Sequence, residues 1–350
     1  MSWRATLITF FCVVTPSVIL VPIISAQDDR QGPIFAITEE NDIFSNPLTA
    51  DHTDRHYTQG LKFTYLGGDN DVPGWAATIS DALPRWAIHT NAENLGYVFG
   101  QNMYTPENLL AIGPIKTDRP YGGWLYGGVY LQRRGKTDAD GVPVQEDLEL
   151  DLGVTGRASL AGTIQSSFHG IFDRTEIPEG WNNQVPTEPG LLLRYERLWR
   201  LSLNPQTARY VDFIPHIGAE LGNIQVSGNL GGTLRVGVSL PEDFGVQIID
   251  SPASAGGGMN SATRPFSFYA FGGSDGRAVG HNLFLDGSTF RGGPSVERIP
   301  WVADLSCGVA MSLFRHIELS YTRVVRTHEF VGQHKADIFG SLEAKAMFRF

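Results

Sequence analysis

Gly340-Ser341-Leu342-Glu343-Ala344-Lys345-Ala346-Met347-Phe348-Arg349-Phe350 closes the chain. Leu342, Ala344, Ala346, Phe348 and Phe350 occupy its even positions, and Ser341, Glu343, Lys345 and Arg349 alternate with them. A period of two gives a strand with one apolar and one polar face. An ordinary amphipathic strand on a soluble sheet would show the same alternation. The length of the run and its terminal Phe favour a strand that crosses a membrane. The pattern recurs upstream. Ile317, Leu319, Tyr321 and Val325 share one face of 316–327, opposite Glu318, Ser320 and Thr322. Tyr57, Leu61, Phe63 and Tyr65 alternate with His56, Thr58, Lys62 and Thr64, and Leu148, Leu150, Leu152 and Val154 with Glu149, Asp151 and Gly153. Further candidate strands are 33–41, 93–104, 120–134, 190–203, 208–222, 225–240, 264–275 and 300–314.

About twelve strands result, an even number within the range of single-chain membrane barrels. The fold class expected is therefore all-β, a single antiparallel transmembrane β-barrel of about twelve strands. The connections at 204–207 and 315 are short, whereas 68–92, 105–119, 159–189, 241–263 and 276–299 are long. That asymmetry suits short periplasmic turns opposite long extracellular loops. The stretch 241–263 includes Ser251-Pro252-Ala253-Ser254-Ala255-Gly256-Gly257-Gly258 and reads as a surface loop.

The opening stretch, Met1 to Ala26, is different in kind. Arg4 is followed by an almost wholly apolar run from Ala5 to Leu20, and Ser25-Ala26 precedes the polar Gln27-Asp28-Asp29-Arg30. This is the layout of a secretory signal peptide, with 27–350 as the mature barrel. Pro16 and Pro22 interrupt the run and no basic stop-transfer cluster follows, which argues against a membrane anchor.

No later window of about 20 apolar residues offers a membrane helix. The 350 residues include 40 Gly, 20 Phe, 11 Tyr and 7 Trp, a heavy share for a water-soluble domain. A net charge of −10, more negative once Arg4 is lost, argues against a nucleic-acid partner. Of the two cysteines only Cys307 lies beyond the signal peptide, so no intrachain disulfide is expected. There is no internal repeat and no second domain.

Three polar clusters carry potential chemistry. Glu39-Glu40-Asn41-Asp42 ends the first strand, and its oxygen donors suit a hard cation; a solvated strand end is the plainer reading. Asp54-Arg55-His56-Tyr57-Thr58-Gln59-Gly60 opens the second strand beside it. By parity Thr58 takes the polar side, able to orient a ligand, and Tyr57 the lipid side. The third cluster is 159–181, where Ser159 is placed to cap a short helix bearing Gln165 and His169 on one face. Glu176 follows. A histidine beside carboxylates and a cation makes a general base; by itself His169 would be a surface histidine. A Gly-x-Ser-x-Gly elbow and a P-loop lysine are both absent.

Taken in order, Glu40-Asn41-Asp42, His56-Tyr57-Thr58-Gln59-Gly60, Asp118-Arg119-Pro120-Tyr121-Gly122-Gly123-Trp124-Leu125-Tyr126, Gln165 with His169, and Gly180-Trp181-Asn182-Asn183-Gln184 resemble the lipid A 3-O-deacylase family. The resemblance spans the mature chain. It implies a calcium-dependent hydrolase that removes the 3′-O-linked acyloxyacyl group of lipid A by attack of water on the ester. It further implies Asn41 and Asp42 as the family's Asn-Asp pair, Thr58 as its threonine and His169 as the water-activating base. Glu176 matches a carboxylate of the site, and Ca²⁺ would be held partly by Asp42 and Glu176. The expected setting is the Gram-negative outer membrane, with a monomer acting on lipopolysaccharide from a site facing the outer leaflet and a short helix in a long extracellular loop nearby. An outer-membrane phospholipase and a non-catalytic pore are the alternatives.

Overall fold

A strand whose side chains alternate between apolar and polar must give each face its own solvent, and here the apolar face looks outward. The computed structural model describes residues 31–45, 55–84, 88–172, 177–204, 206–250 and 265–348. The expected signal peptide, Glu176 and Phe350 lie outside them. The strands are β1 (Ile34–Asn41), β2 (His56–Leu66), β3 (Ile88–Thr105), β4 (Gly122–Thr137), β5 (Pro143–Thr155) and β6 (Pro189–Trp199). They continue with β7 (Val211–Gly222), β8 (Gln225–Val238), β9 (Phe266–Asn282), β10 (Trp301–Leu313), β11 (Ile317–Arg326) and β12 (Asp337–Met347). Three helices accompany them: α1 (Gly74–Ala82), α2 (Ala161–Phe172) and the single turn α3 (Leu283–Asp286).

Each strand pairs antiparallel with the next, and β1 closes on β12 from Ile34↔Met347 to Asn41↔Gly340. The expected twelve-stranded barrel is what forms. Closure removes every sheet edge, as a lipid environment requires, since each unpaired backbone group there costs several kcal/mol. None of the described helices is long and apolar enough to cross a membrane.

Burial is inverted relative to a water-soluble protein. Phe35, Ile37, Tyr97, Phe99, Leu230 and Leu319 are exposed on the outer wall, while Lys62, Glu149, Asp151, Arg235 and Lys345 are buried inside it. The lumen is a network of ion pairs. Lys62 donates to Glu149 at 2.8 Å, and Arg194 reaches Glu149 at 2.9 Å, Asp151 at 3.1 Å and Glu220 at 3.1 Å. Arg235 pairs with Asp212 at 2.7 Å, Arg277 with Asp304 at 2.6 Å, and Lys345 with Glu343 at 3.1 Å. Buried charges persist only when paired, and removing one partner typically costs about 3–5 kcal/mol.

Two expectations about connections are corrected. In an up-and-down barrel the connections fall at alternate ends whatever their length. The long segments 67–87 and 239–265 therefore share an end with the start of β1, the end of β12 and the tight turns 138–142 and 314–316. Conversely, β7 and β8 are joined by Asn223 and Ile224 alone at the other end, which we assign as extracellular from its loops 106–121, 156–188 and 283–300. Part of the expected loops belongs to strands, because β3 begins at Ile88 and β9 runs on to Asn282.

The second correction concerns 241–263, expected on the surface. Its described part, up to Asp250, runs inside the lumen, with Asp243, Phe244, Gln247, Ile248 and Ile249 all buried. Lys345 Nζ donates to Gly245 O at 3.3 Å, Gln247 N to Glu343 at 3.4 Å, and Ile249 N to Glu40 at 2.7 Å. The buried carboxylates and lysine of β1 and β12 satisfy the backbone of this segment, so it lies against them rather than in water. Filled by ion pairs and by this segment, the barrel is not built as an open pore.

The inverted burial has a direct test. Leu230→Arg, at the middle of β8 and 69% exposed, should lower the unfolding free energy in phospholipid vesicles by about 2–4 kcal/mol. A urea titration showing a change below about 0.5 kcal/mol would place that face in water instead.

Candidate active site

The site is assembled on the outer wall, at the extracellular end of β1 to β4. Ile34, Ala36, Thr38 and Glu40 are the buried positions of β1, so Asn41 and Glu39 fall on its outer face with Phe35 and Ile37. Register extends a row of outward positions across the sheet. Asn41 faces Gln59, Gln59 faces Met103, and Met103 faces Gly123. Gln59 Nε2 donates to Glu39 Oε1 at 2.8 Å. Amide and carboxylate groups thus stand on a wall that elsewhere presents aromatic and aliphatic side chains.

Immediately after Asn41 the chain turns. Asn41 Oδ1 accepts from Ile43 N at 2.9 Å, a local bond that starts the 3₁₀ turn Asp42–Ser45. Asp42 is buried, and its Oδ2 accepts from Arg55 N at 3.2 Å, joining the two ends of the connection from β1 to β2. Tyr321 Oη donates to Phe44 O at 2.8 Å and fixes the turn against β11.

Thr58 owes its position to a β-bulge. Tyr57 pairs with Tyr104 and Gln59 with Met103, which leaves Thr58 as an extra residue between them. A bulge re-aims side chains and commonly occurs beside functional sites. Here it overturns the parity expected for both Tyr57 and Thr58. The extra residue shifts the alternation by one, so Tyr57 points into the lumen, 1% exposed, with its hydroxyl donating to Glu40 at 2.8 Å. Thr58 Oγ1 instead meets Thr105 Oγ1 at 2.7 Å. Thr105 follows the inward Tyr104 in β3 and takes the opposite face.

The helix expected near the site is α2, and it packs on the outer wall. Gly123 makes this possible, since a Cβ there would lie 2.2 Å from Ser159 Oγ and 2.5 Å from Ala161 Cβ. Ser159, expected as the cap, accepts from Ala161 N at 3.4 Å and donates to Gly156 O at 2.6 Å. Ala161, Gln165 and His169 recur at four-residue spacing and are the buried stripe of the helix. Ala161 joins Met103, Leu109, Tyr121 and Trp181 in one apolar cluster. Trp181 Nε1 donates to Gln165 Oε1 at 2.8 Å. The stripe sets His169, 8% exposed, on the wall-facing side two turns beyond Ala161, roughly 12 Å along the axis.

The conspicuous Asp118 to Tyr126 motif turns out to be scaffolding. Asp118 accepts from His56 at 3.3 Å, and Arg119 pairs with Glu329 at 2.9 Å. Burial pushes the Asp118 carboxyl up, yet hydrogen bonds from His56 and from the Glu107 and Arg119 amides hold it below its ordinary value. Tyr121 Oη donates to Leu109 O at 2.8 Å and its ring packs on Trp181, 4.9 Å between centroids. The loops that carry α2 are thereby tied to the top of β2 and to the connection between β11 and β12.

Register therefore unites Asn41, Gln59 and the Thr58–Thr105 pair, and the α2 stripe turns His169 towards the same wall. Glu176 lies outside the described residues. The sequence reading missed Glu39–Gln59 as a pair and Thr105 altogether; a threonine ending a strand carries no distinguishing signal. Among the described residues no three His, Cys, Asp or Glu side chains form a group able to hold a metal ion. The oxygens of Asn41, Asp42 and Thr58 and of the nearby backbone are nonetheless of the hard type that calcium takes in mixed carboxylate, amide and carbonyl shells.

Comparisons with known proteins agree with this architecture. The family model for outer membrane protein LpxR matches residues 8–348. LpxR from Salmonella typhimurium superimposes with a TM-score of 0.71 at 20% identity, covering 90% of this chain and 100% of that one. The β domain of the Bordetella autotransporter BrkA gives a TM-score of 0.41 at 12% identity over 91% and 99% of the two chains. No curated protein matches the chain. The barrel resides in the Gram-negative outer membrane, and the chain belongs to the LpxR family of outer membrane proteins.

Proposed function

We propose that the chain is a calcium-dependent lipid A 3-O-deacylase, a carboxylic ester hydrolase that removes the 3′-O-linked acyloxyacyl group of lipid A with water. One observation carries this reading. Asn41, Gln59 and the Thr58–Thr105 pair occupy the lipid-facing side of the barrel, the wall on which α2 packs against β3 and β4 with His169 in its inward stripe. A pore would place its polar groups in the lumen, and a structural barrel has no need of polar groups outside it. A lipid ester in the outer leaflet reaches this site laterally, without entering the barrel. Nothing in the reading requires a second copy of the chain.

The chemistry follows from the side chains. His169 takes a proton from water as its oxygen attacks the ester carbonyl, a step in which a positioned base contributes about 10²–10⁴-fold. Asn41 and Thr58 orient the ester and donate to the carbonyl oxygen as negative charge develops on it. The carbon–oxygen bond to the sugar then breaks, and His169 returns the proton to the departing alkoxide. Asp42, Asn41 and Glu176 would hold Ca²⁺, whose contribution when bound is Lewis-acid polarisation of the carbonyl.

His169→Ala should abolish the loss of one acyloxyacyl group from lipid A, read by mass spectrometry, while the barrel keeps its heat-modifiable mobility on gels. Lipid A left fully acylated by the wild type in saturating Ca²⁺ would overturn the reading. Release of fatty acid from labelled glycerophospholipid instead would identify a phospholipase.

Chelation of calcium supplies an independent test. EDTA should stop acyl release and added Ca²⁺ should restore it, and Asp42→Asn should raise the Ca²⁺ concentration needed for half-maximal rate by about tenfold or more, as loss of a charged ligand lowers affinity. Activity indifferent to EDTA would remove the cation from the mechanism.

A further inference from the structure

The described part of the lumenal segment that leaves β8 reaches Asp250 directly behind the candidate site. Ile249 N and Asp250 N donate to the two oxygens of Glu40 at 2.7 and 3.3 Å. Glu40 also accepts the Tyr57 hydroxyl at 2.8 Å, and Asp250 accepts the Tyr104 hydroxyl at 2.9 Å. Arg326 pairs with the Asp250 carboxylate and donates to its carbonyl at 2.6 Å. Tyr57 and Tyr104 are the cross-strand pair beside the bulge, their rings 5.6 Å apart. Tyr57 also packs edge-on against Phe339 at 4.9 Å. Gly60 leaves room for this arrangement, since a Cβ there would lie 2.0 Å from the Tyr57 hydroxyl.

One residue further along each strand, on the opposite face, stand Thr58 and Thr105. A bulged residue lacks the ladder partner that fixes its neighbours, so its geometry depends on whatever holds the flanking side chains. Two tyrosines held at their hydroxyls by hydrogen-bonded carboxylates, the buried Glu40 and the partly buried Asp250, provide that hold. Glu40 would be costly to bury without these donors, and the segment supplies two of its three.

We propose that Glu40 and Asp250 are positioning residues, through which the lumenal segment sets the bulge at Thr58 from inside the barrel. The catalytic consequence rests on Thr58 acting in the hydrolysis proposed above; the mechanical link between segment and bulge does not. The wall is then thin enough for a periplasm-facing connection to support an outward-facing site.

The experiment uses the full mature protein in lipid vesicles, with Glu40→Gln, Asp250→Asn and the milder Tyr57→Phe. Each variant should lower kcat between about tenfold and a hundredfold with KM nearly unchanged, the size expected from displacing a positioned group. Tyr57→Phe combined with Glu40→Gln should be no worse than the poorer single variant, because the hydrogen bond lost in Tyr57→Phe is one of the three that Glu40→Gln disturbs. Hydrogen exchange at amides 57–60 and 104–105 should quicken several-fold while β10 stays protected. Unchanged exchange there in folded Tyr57→Phe and Asp250→Asn protein overturns the proposal whatever the activity. If the wild type itself releases no acyl group, the deacylase reading fails, and the exchange data alone decide whether the segment governs the bulge. Full kcat alongside faster exchange would rule out the positioning role.

Discussion

The pairing of β1 with β12 is the contact on which everything else rests. Without it two strand edges would face hydrocarbon, and each unpaired amide and carbonyl would cost several kcal/mol. With it the wall is continuous, and the end of the first strand comes to lie beside the start of the last. Glu40 and Ser341, Asn41 and Gly340 become neighbours although they are nearly the whole chain apart. Closure thus builds the membrane protein and the floor of its site in one step.

A second consequence is the separation of two polar worlds. Inside, carboxylates and guanidinium groups neutralise one another and pin the lumenal segment at Asp250. Outside, a few amides and hydroxyls break an apolar surface on the wall where α2 packs. The wall between them is one residue thick, so the same strands serve both: Glu40 looks in where Asn41 looks out, and Tyr104 looks in where Thr105 looks out. Polar groups on the outer face are tolerable because they bond to one another, as Gln59 does to Glu39.

Much of this was legible in the sequence, and the exceptions have physical causes. Alternation in 340–350 and its counterparts identified strands and faces because side-chain direction in a strand is a local property. The Ala161, Gln165, His169 stripe was legible for the same reason at helical spacing. Tyr57 and Thr58 were each assigned to the wrong face because a bulge inserts one residue, and nothing in His56-Tyr57-Thr58-Gln59 marks where the parity changes. The segment from Pro241 to Asp250 was read as surface because its composition is that of a loop; its burial follows from partners such as Glu40, Glu343 and Lys345, all distant in sequence. Connection length likewise misled about sidedness, which strand parity alone decides. The motif around Gly123 stood out without disclosing its purpose, which depends on the approach of Ser159 and Ala161.

The filled lumen also bears on the cell that carries the protein. Open barrels tie their copy number to the permeability of the envelope, since each added molecule is another hole for solutes and toxic compounds. A cylinder crossed by arginine–carboxylate pairs and occupied by part of its own chain has less open lumen to leak through. Its abundance is therefore less constrained by the barrier the membrane must maintain.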